Sequence, residues 1–281
     1  MDDVISQGWT LDPETARALR LDHVRKLVER MSWDDAALEA EELLDEAPEH
    51  VEALELLAHA QAGMMDAEGA VQTWEQLLRL DPTPRADRLA ALSLARLDSC
   101  DLVGSVEAAR ESIRLDPALA DAHFVMGFAL DRLPGNATES ARALIAANRL
   151  DPLAYPFPLR LDAESWEQAL TTAMMHVAPE VRSLWEGVPV RLPQAPDLEM
   201  LRANDPPLSP RIPGLFLGEP PEDGDPWLQP PEGLLLFTQN LARVQSLEEL
   251  IERLADVLEQ EALVWLGQDP WDGDDIQLEE L

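Results

Sequence analysis

The chain has 281 residues, of which 46% are apolar, so it carries enough hydrophobic material for two modest cores and is not composed like a disordered protein. Its 55 acidic and 21 basic residues give a formal net charge of -34, which repels DNA, RNA and anionic lipid and attracts basic protein surfaces. The composition therefore argues against binding to nucleic acid or to a membrane and favours a protein partner with a basic surface or segment.

Cys100 is the only cysteine, which excludes an intrachain disulfide and any metal site built from several cysteines. The first residues are acidic where a signal peptide needs basic charge, and no apolar run approaches the roughly 20 residues of a membrane span. We therefore expect a cytoplasmic protein, and the composition would suit a bacterial one.

A proline recurs at a fixed interval through the first half of the chain. Pro48, Pro82, Pro117 and Pro152 lie 34, 35 and 35 residues apart, and the last three end the tripeptide Leu-Asp-Pro. A small residue stands twelve positions before each proline, at Ala36, Ala70, Ser105 and Ser140. Small residues at a fixed place are typical of helices that cross closely. The pattern predicts pairs of helices with a second close-approach position at Ala58, Ser93 and Gly127.

This period, with helical filling, resembles the tetratricopeptide repeat family over about half of the chain. The resemblance implies a concave groove, lined by the first helix of each pair, that holds a peptide. Carried over by position, the groove residues are Glu52, Glu55, His59, Asp87, Asp121, Phe124, Phe128 and Asp131. They would form an acidic groove with an aromatic end. The alternative is that these carboxylates are ordinary solvated residues and that Phe124 or Phe128 belongs to the core.

The pattern changes after Pro152. Residues 162–177 and 179–185 are predicted helices, residues 188–192, 214–218 and 233–237 are predicted strands, and Ser246 is predicted to cap a long helix that ends at Gly267. Prolines crowd the stretch from Pro193 to Pro231, where we expect little regular structure.

The order of these short blocks resembles the minimal zincin-like metallopeptidase family of bacteria over about 105 residues. That family carries H-E-x-x-H on its last helix, where two histidines bind zinc and the glutamate activates the metal-bound water. Alignment on Gly267 places Gln260, Glu261 and Val264 at the three functional positions, so only the glutamate is retained. The resemblance therefore implies a disabled site with no catalytic residue, no metal and no cofactor, in which Val264 and Trp265 fill the metal cavity.

The sequence thus predicts a mainly α protein: a tetratricopeptide-like helical array over 1–152, a small α+β zincin-like domain over 153–267 and an acidic tail over 268–281. The favoured function is that of a non-catalytic regulator that binds another protein as an inhibitor, escort or adaptor. Two alternatives stay open. One is a zinc-dependent metallopeptidase with non-standard ligands, and the other is an acidic mimic of nucleic acid that blocks a basic partner.

Overall fold

The structure, a computed structural model, describes residues 12–81, 83, 85–221 and 226–268. The chain divides into two compact units, with the boundary between Leu150 and Asp151. We refer to them as the repeat unit, which precedes this boundary, and the mixed unit, which follows it. Residues 269–281 of the predicted acidic tail lie outside the described residues.

The repeat unit consists of consecutive helices that pack in pairs. The bounds of these helices are Pro13–Glu29 (α1), Trp33–Glu46 (α2), Val51–Gly63 (α3), Ala67–Leu80 (α4), Ala86–Asp98 (α5), Leu102–Leu115 (α6), Ala120–Asp131 (α7) and Ala137–Leu150 (α8). Each helix packs on the next along the chain, and this succession of hairpins is the tetratricopeptide-like array that the proline spacing predicts.

The predicted small residues lie where two helices of a pair touch. The Ser105 hydroxyl donates to the carbonyl of Ser93 at 2.7 Å, and the Ser140 hydroxyl donates to the carbonyl of Gly127 at 2.8 Å. A Cβ added to Gly127 would lie 2.7 Å from the side chain of Leu144. These contacts confirm the prediction, because a larger side chain at any of these positions would force the helix axes apart.

The aspartates of the Leu-Asp-Pro tripeptides shape the turns between hairpins. The Asp116 carboxylate accepts from the amide of Ala118 at 2.9 Å, and that of Asp151 accepts from the amide of Ala154 at 2.9 Å. Asp81 accepts from the amide of Thr83 at 3.2 Å in the same way. Each aspartate accepts from a backbone N–H group of the turn that follows its helix, as in an Asx turn, which explains why the motif recurs.

A left-handed residue closes the first helix of every pair. Met31, Met65 and Cys100 adopt φ angles of 60°, 62° and 61°, and Gly135 takes the fourth position with φ 84°. Glycine enters this region without steric cost, whereas methionine and cysteine do not. Cys100 is buried in its turn, while Met31 and Met65 project into solvent.

The mixed unit combines short strands with helices. Its elements are α9 (Ala163–His176), α10 (Pro179–Trp185), β1 (Val190–Arg191), α11 (Leu198–Arg202), β2 (Gly214–Leu217), a 3₁₀ turn (Pro226–Leu228), β3 (Gly233–Leu236), α12 (Thr238–Leu241) and α13 (Leu247–Trp265). The side chain of Ser246 accepts from the amide of Glu249, as predicted for the cap of α13. The cap of α9 is Asp162, whose side chain accepts from the amide of Ser165.

The three strands form one sheet in the order β1-β3-β2, with β1 parallel and β2 antiparallel to β3. Leu234 and Leu236 of β3 are buried in a core that α9, α10 and α13 also supply. The indole N–H of Trp185 donates to the carbonyl of Leu258 at 2.9 Å, which ties α10 to α13. Within the described part of the chain, no helix has the length and apolarity that a membrane crossing needs.

Candidate functional site

The predicted groove acids lie on the first helices of successive pairs, and arginines already accompany several of them. Glu52 pairs with Arg25 of α1. Asp87 is held by the neighbouring Arg85, whose Nε donates to it at 3.1 Å, and this guanidinium lowers the pKa of the Asp87 carboxyl. The predicted acidic surface is therefore partly neutralised by its own chain.

Arg88 is the central cation of this surface. Its side chain is 4% exposed, and its guanidinium lies 3.0 Å from Glu55 of α3 and 2.6 Å from Asp81 at the end of α4. The hydrogen bond from Arg88 lowers the pKa of Asp81. Because both carboxylates belong to the preceding helix pair, the arginine joins two successive hairpins.

His59 lies beside these charges on α3. Its ring meets buried Trp74 edge-on, with ring centroids 5.1 Å apart. Partial burial of the imidazole lowers its pKa, and the carboxylates of Glu55 and Asp87 oppose that change. His59 is therefore a neutral hydrogen-bonding group at pH 7.

The aromatic end of the predicted groove lies on α7. Phe124 is half-buried, whereas Phe128 is 2% exposed, and their ring centroids are 5.8 Å apart. The guanidinium of Arg132 lies 4.4 Å from the Phe128 ring centroid and pairs with Asp131 at 2.6 Å. Burial lowers the pKa of Arg132. Of the two predicted aromatic residues, Phe124 is therefore the one that keeps part of its surface accessible to solvent.

Asp121 stands at the start of α7, three residues before Phe124, and is exposed. Sequence reasoning found these acids but missed the arginines that accompany them. Arg85 and Arg88 flank Asp87 in the sequence, yet only the packing of α5 on α4 brings Arg88 to Asp81 and Glu55. The usable signal was the presence of two arginines at the start of a predicted groove helix.

In the mixed unit, the retained glutamate of the predicted degenerate motif is enclosed. One Glu261 carboxylate oxygen accepts from the amide of Phe216 in β2 at 3.0 Å. Burial raises the pKa of Glu261 to about 7, and the Phe216 hydrogen bond opposes this only in part. The carboxyl group therefore takes up a proton at a much higher pH than an exposed glutamate does.

Of the two residues expected to fill a metal cavity, Trp265 is buried and Val264 is not. Trp265 is buried, meets Phe216 edge-on at 5.2 Å between ring centroids, and donates from its indole N–H to the carbonyl of Gln229 at 3.1 Å. Val264, in contrast, is 42% exposed, because it lies on the outer side of α13. Gln260 is half-buried one turn before it.

These positions do not fit a zinc ion. Valine has no lone pair, an amide oxygen is a weak zinc ligand beside imidazole, and the Glu261 carboxylate is engaged with the β2 backbone. Among the residues that the structure describes, no group of three or more histidine, cysteine, aspartate or glutamate side chains is placed to hold a metal.

No protein-family model matches the sequence, and no curated protein matches it. Solved structures with some likeness include a MamA protein, at 20% identity over 48% of this chain and 73% of that chain with a TM-score of 0.44. MamA from Desulfovibrio magneticus RS-1 is 20% identical over 50% of this chain and 78% of that chain, with a TM-score of 0.45. YrrB, described as a TPR protein with an unusual peptide-binding site, is 15% identical over 47% and 68%, with a TM-score of 0.42.

Proposed function

We propose that this chain is a non-catalytic regulator that holds a segment of a partner protein in the groove of its repeat unit. Three helices, α3, α5 and α7, carry the predicted groove residues at equivalent places in successive hairpins. The observation that carries the proposal is the surface of α7, where half-buried Phe124 adjoins exposed Asp121. An apolar ring next to a carboxylate suits a segment with an apolar anchor and a basic neighbour.

The partner is a protein with a basic surface or segment. The net charge of -34 supports this choice, because it speeds the approach of positive surfaces and opposes nucleic acid. The residue pairs Glu52–Arg25 and Asp87–Arg85 are solvent-exposed and therefore weak, so a basic partner segment competes with these arginines at small cost.

We assign the zincin-like domain to residues 153–267, with the repeats over 1–152 and an acidic tail from residue 268. The sheet of three short strands and the long capped helix α13 support this assignment. In this domain the site has lost its ligands, and it acts in recognition rather than in hydrolysis. Metal analysis of untagged protein tests this part: we expect less than stoichiometric zinc, and one tightly bound zinc per chain would overturn it.

The groove is tested by replacing Phe124 while a matched aromatic residue is replaced elsewhere. Phe157 is an exposed phenylalanine of the mixed unit and serves as the control. We expect the unaltered chain and Phe157→Ala to capture the same protein from native lysate at physiological salt, and Phe124→Ala with Asp121→Asn to lose it. Capture by the groove variant at the level of the control would contradict the proposal.

A further inference from the structure

A cleft opens between α2 and α4, which belong to the first two hairpins. It has a volume of about 450 Å³, and α3 runs beneath it. Leu44, Leu54 and Leu57 supply the apolar floor, and the carboxylates of Glu41 and Asp45 stand one helical turn apart on its α2 side. The opposite side is formed by α4, where Gln76 reaches toward the carbonyl of Pro48 at 3.4 Å.

The two carboxylates of this cleft differ from several inter-helix carboxylates of the repeat unit. Glu75 of α4 pairs with Arg96 at 2.9 Å, and Glu139 of α8 pairs with Arg110 at 2.7 Å. On α2 itself, Glu42 and Glu46 form ion pairs with Arg20 of α1 at 3.0 and 2.9 Å. Over the described ranges, however, no ion pair within 4.0 Å reaches Glu41 or Asp45.

We propose that this cleft receives the side chain of a lysine or arginine from a partner protein. Both basic side chains have an apolar stem that covers hydrophobic surface and a charged head that stays at its rim. The three leucines match the stem, and Glu41 with Asp45 match the head. An apolar ligand would leave the two carboxylates beside a dry surface, and an anion would be repelled by them.

The proposal does not rest on the groove. The cleft is lined by α2, α3 and α4 and by Pro48, whereas the groove residue that carries the proposed function is Phe124 of α7. A chain with Phe124→Ala should therefore keep the cleft site, so that failure of either proposal is recognised separately.

Blocked tripeptides test the cleft directly in the full chain. Gly-Lys-Gly, Gly-Arg-Gly and Gly-norleucine-Gly would be titrated at low salt while the backbone amide resonances of Thr73 and Gln76 are followed by NMR. We expect saturable shifts with the two basic tripeptides and about tenfold weaker binding of the norleucine peptide, which keeps the stem and lacks the charge. Equal binding of all three peptides would overturn the proposal.

Two charge-matched double variants complete the test. Glu41→Gln with Asp45→Asn should weaken binding of the basic tripeptides about tenfold, because both charges at the rim are lost. Glu68→Gln with Glu107→Gln removes the same net charge from exposed positions outside the cleft and should leave the shifts unchanged. If both double variants weaken binding equally, the effect belongs to the overall field of the chain and the assigned site is wrong.

Discussion

Glu261 couples the stability of the mixed unit to pH. In the unfolded chain its carboxyl has the ordinary pKa of 4.5, and in the folded chain burial raises the pKa to about 7. Between these values the unfolded form releases a proton that the folded form retains, so the free energy of unfolding falls as the pH rises from 4.5 to 7 and the loss is complete above 7. Glu261→Gln should abolish this loss and stabilise the chain by about 3 kcal/mol at pH 8.

Urea unfolding at pH 5 and pH 8 measures this effect as the difference in free energy of unfolding between the unaltered chain and Glu261→Gln. The comparison removes the contribution of the other carboxylates, which both proteins share. Glu107→Gln, at an exposed position of α6, is the control and should follow the unaltered chain. A Glu261→Gln variant with the same dependence on pH as the unaltered chain would show that the carboxyl is not buried in solution.

Replacement of Met65 by glycine should stabilise the repeat unit. Its φ of 62° costs an L-residue about 1 to 2 kcal/mol, and its side chain is 60% exposed, so little packing is lost when it is removed. We expect Met65→Gly to raise the free energy of unfolding by about 0.5 to 1 kcal/mol in thermal unfolding experiments. Gly135→Ala is the reverse control: it has φ 84° and open space around its Cβ position, and it should lose a similar amount.

At the scale of elements, the hairpin joints depend on Arg88. Removal of its guanidinium leaves Glu55 and Asp81 as two unbalanced, partly buried carboxylates between α3, α4 and α5. Arg88→Met should therefore destabilise the chain by about 2 kcal/mol in urea unfolding. Arg114→Met is the matched control, because its pair with Glu111 within α6 is exposed and screened by solvent, so the free energy of unfolding should barely change. Equal losses of unfolding free energy in the two variants would show that the buried Arg88 contributes no more to stability than the exposed Arg114.

The helices and close-approach positions could be predicted from the sequence because they follow from local periodicity. Ser105 and Ser140 were found by counting back from prolines, and both lie buried against the facing helix. Helix α10 and the Ser246 cap of α13 were predicted for the same reason. The residues of the left-handed turns could not be predicted in this way. Methionine has no preference for positive φ, and the hairpin holds Met31 and Met65 in that conformation.

The placement of the predicted groove residues on the first helices could be read from the sequence, but their ion-pair partners could not. The positions of the acids follow from the helix register, whereas the partners of Glu55 and Asp131 depend on where long arginine side chains come to lie after packing. The same limit applies to Phe128: the sequence left open whether it is core or surface, and its contact with Arg132 and its burial decide the matter. The pairing of Glu261 with the β2 backbone joins residues 45 positions apart and has no local signature.

At the scale of the whole molecule, the net charge of -34 opposes the compact state through self-repulsion. Added salt screens this repulsion within about 10 Å, so thermal unfolding should shift upward by several degrees between 0.01 and 0.15 M NaCl. Near the isoelectric point the shift should disappear, which separates screening from other effects of salt. Scanning calorimetry at neutral pH and near the isoelectric point provides the measurement. If added salt lowered the unfolding temperature at neutral pH, attractive ion pairs would outweigh the repulsion.

The buried Cys100 makes the third hairpin of the repeat unit observable on its own. Its thiol is 4% exposed at the turn between α5 and α6, and it is the only sulfhydryl of the chain. A maleimide reagent can react with it only when that turn opens, so the alkylation rate counts these openings without any engineered label. A ligand that clamps the neighbouring helices should slow this chemistry, which offers a simple assay for occupancy of the repeats.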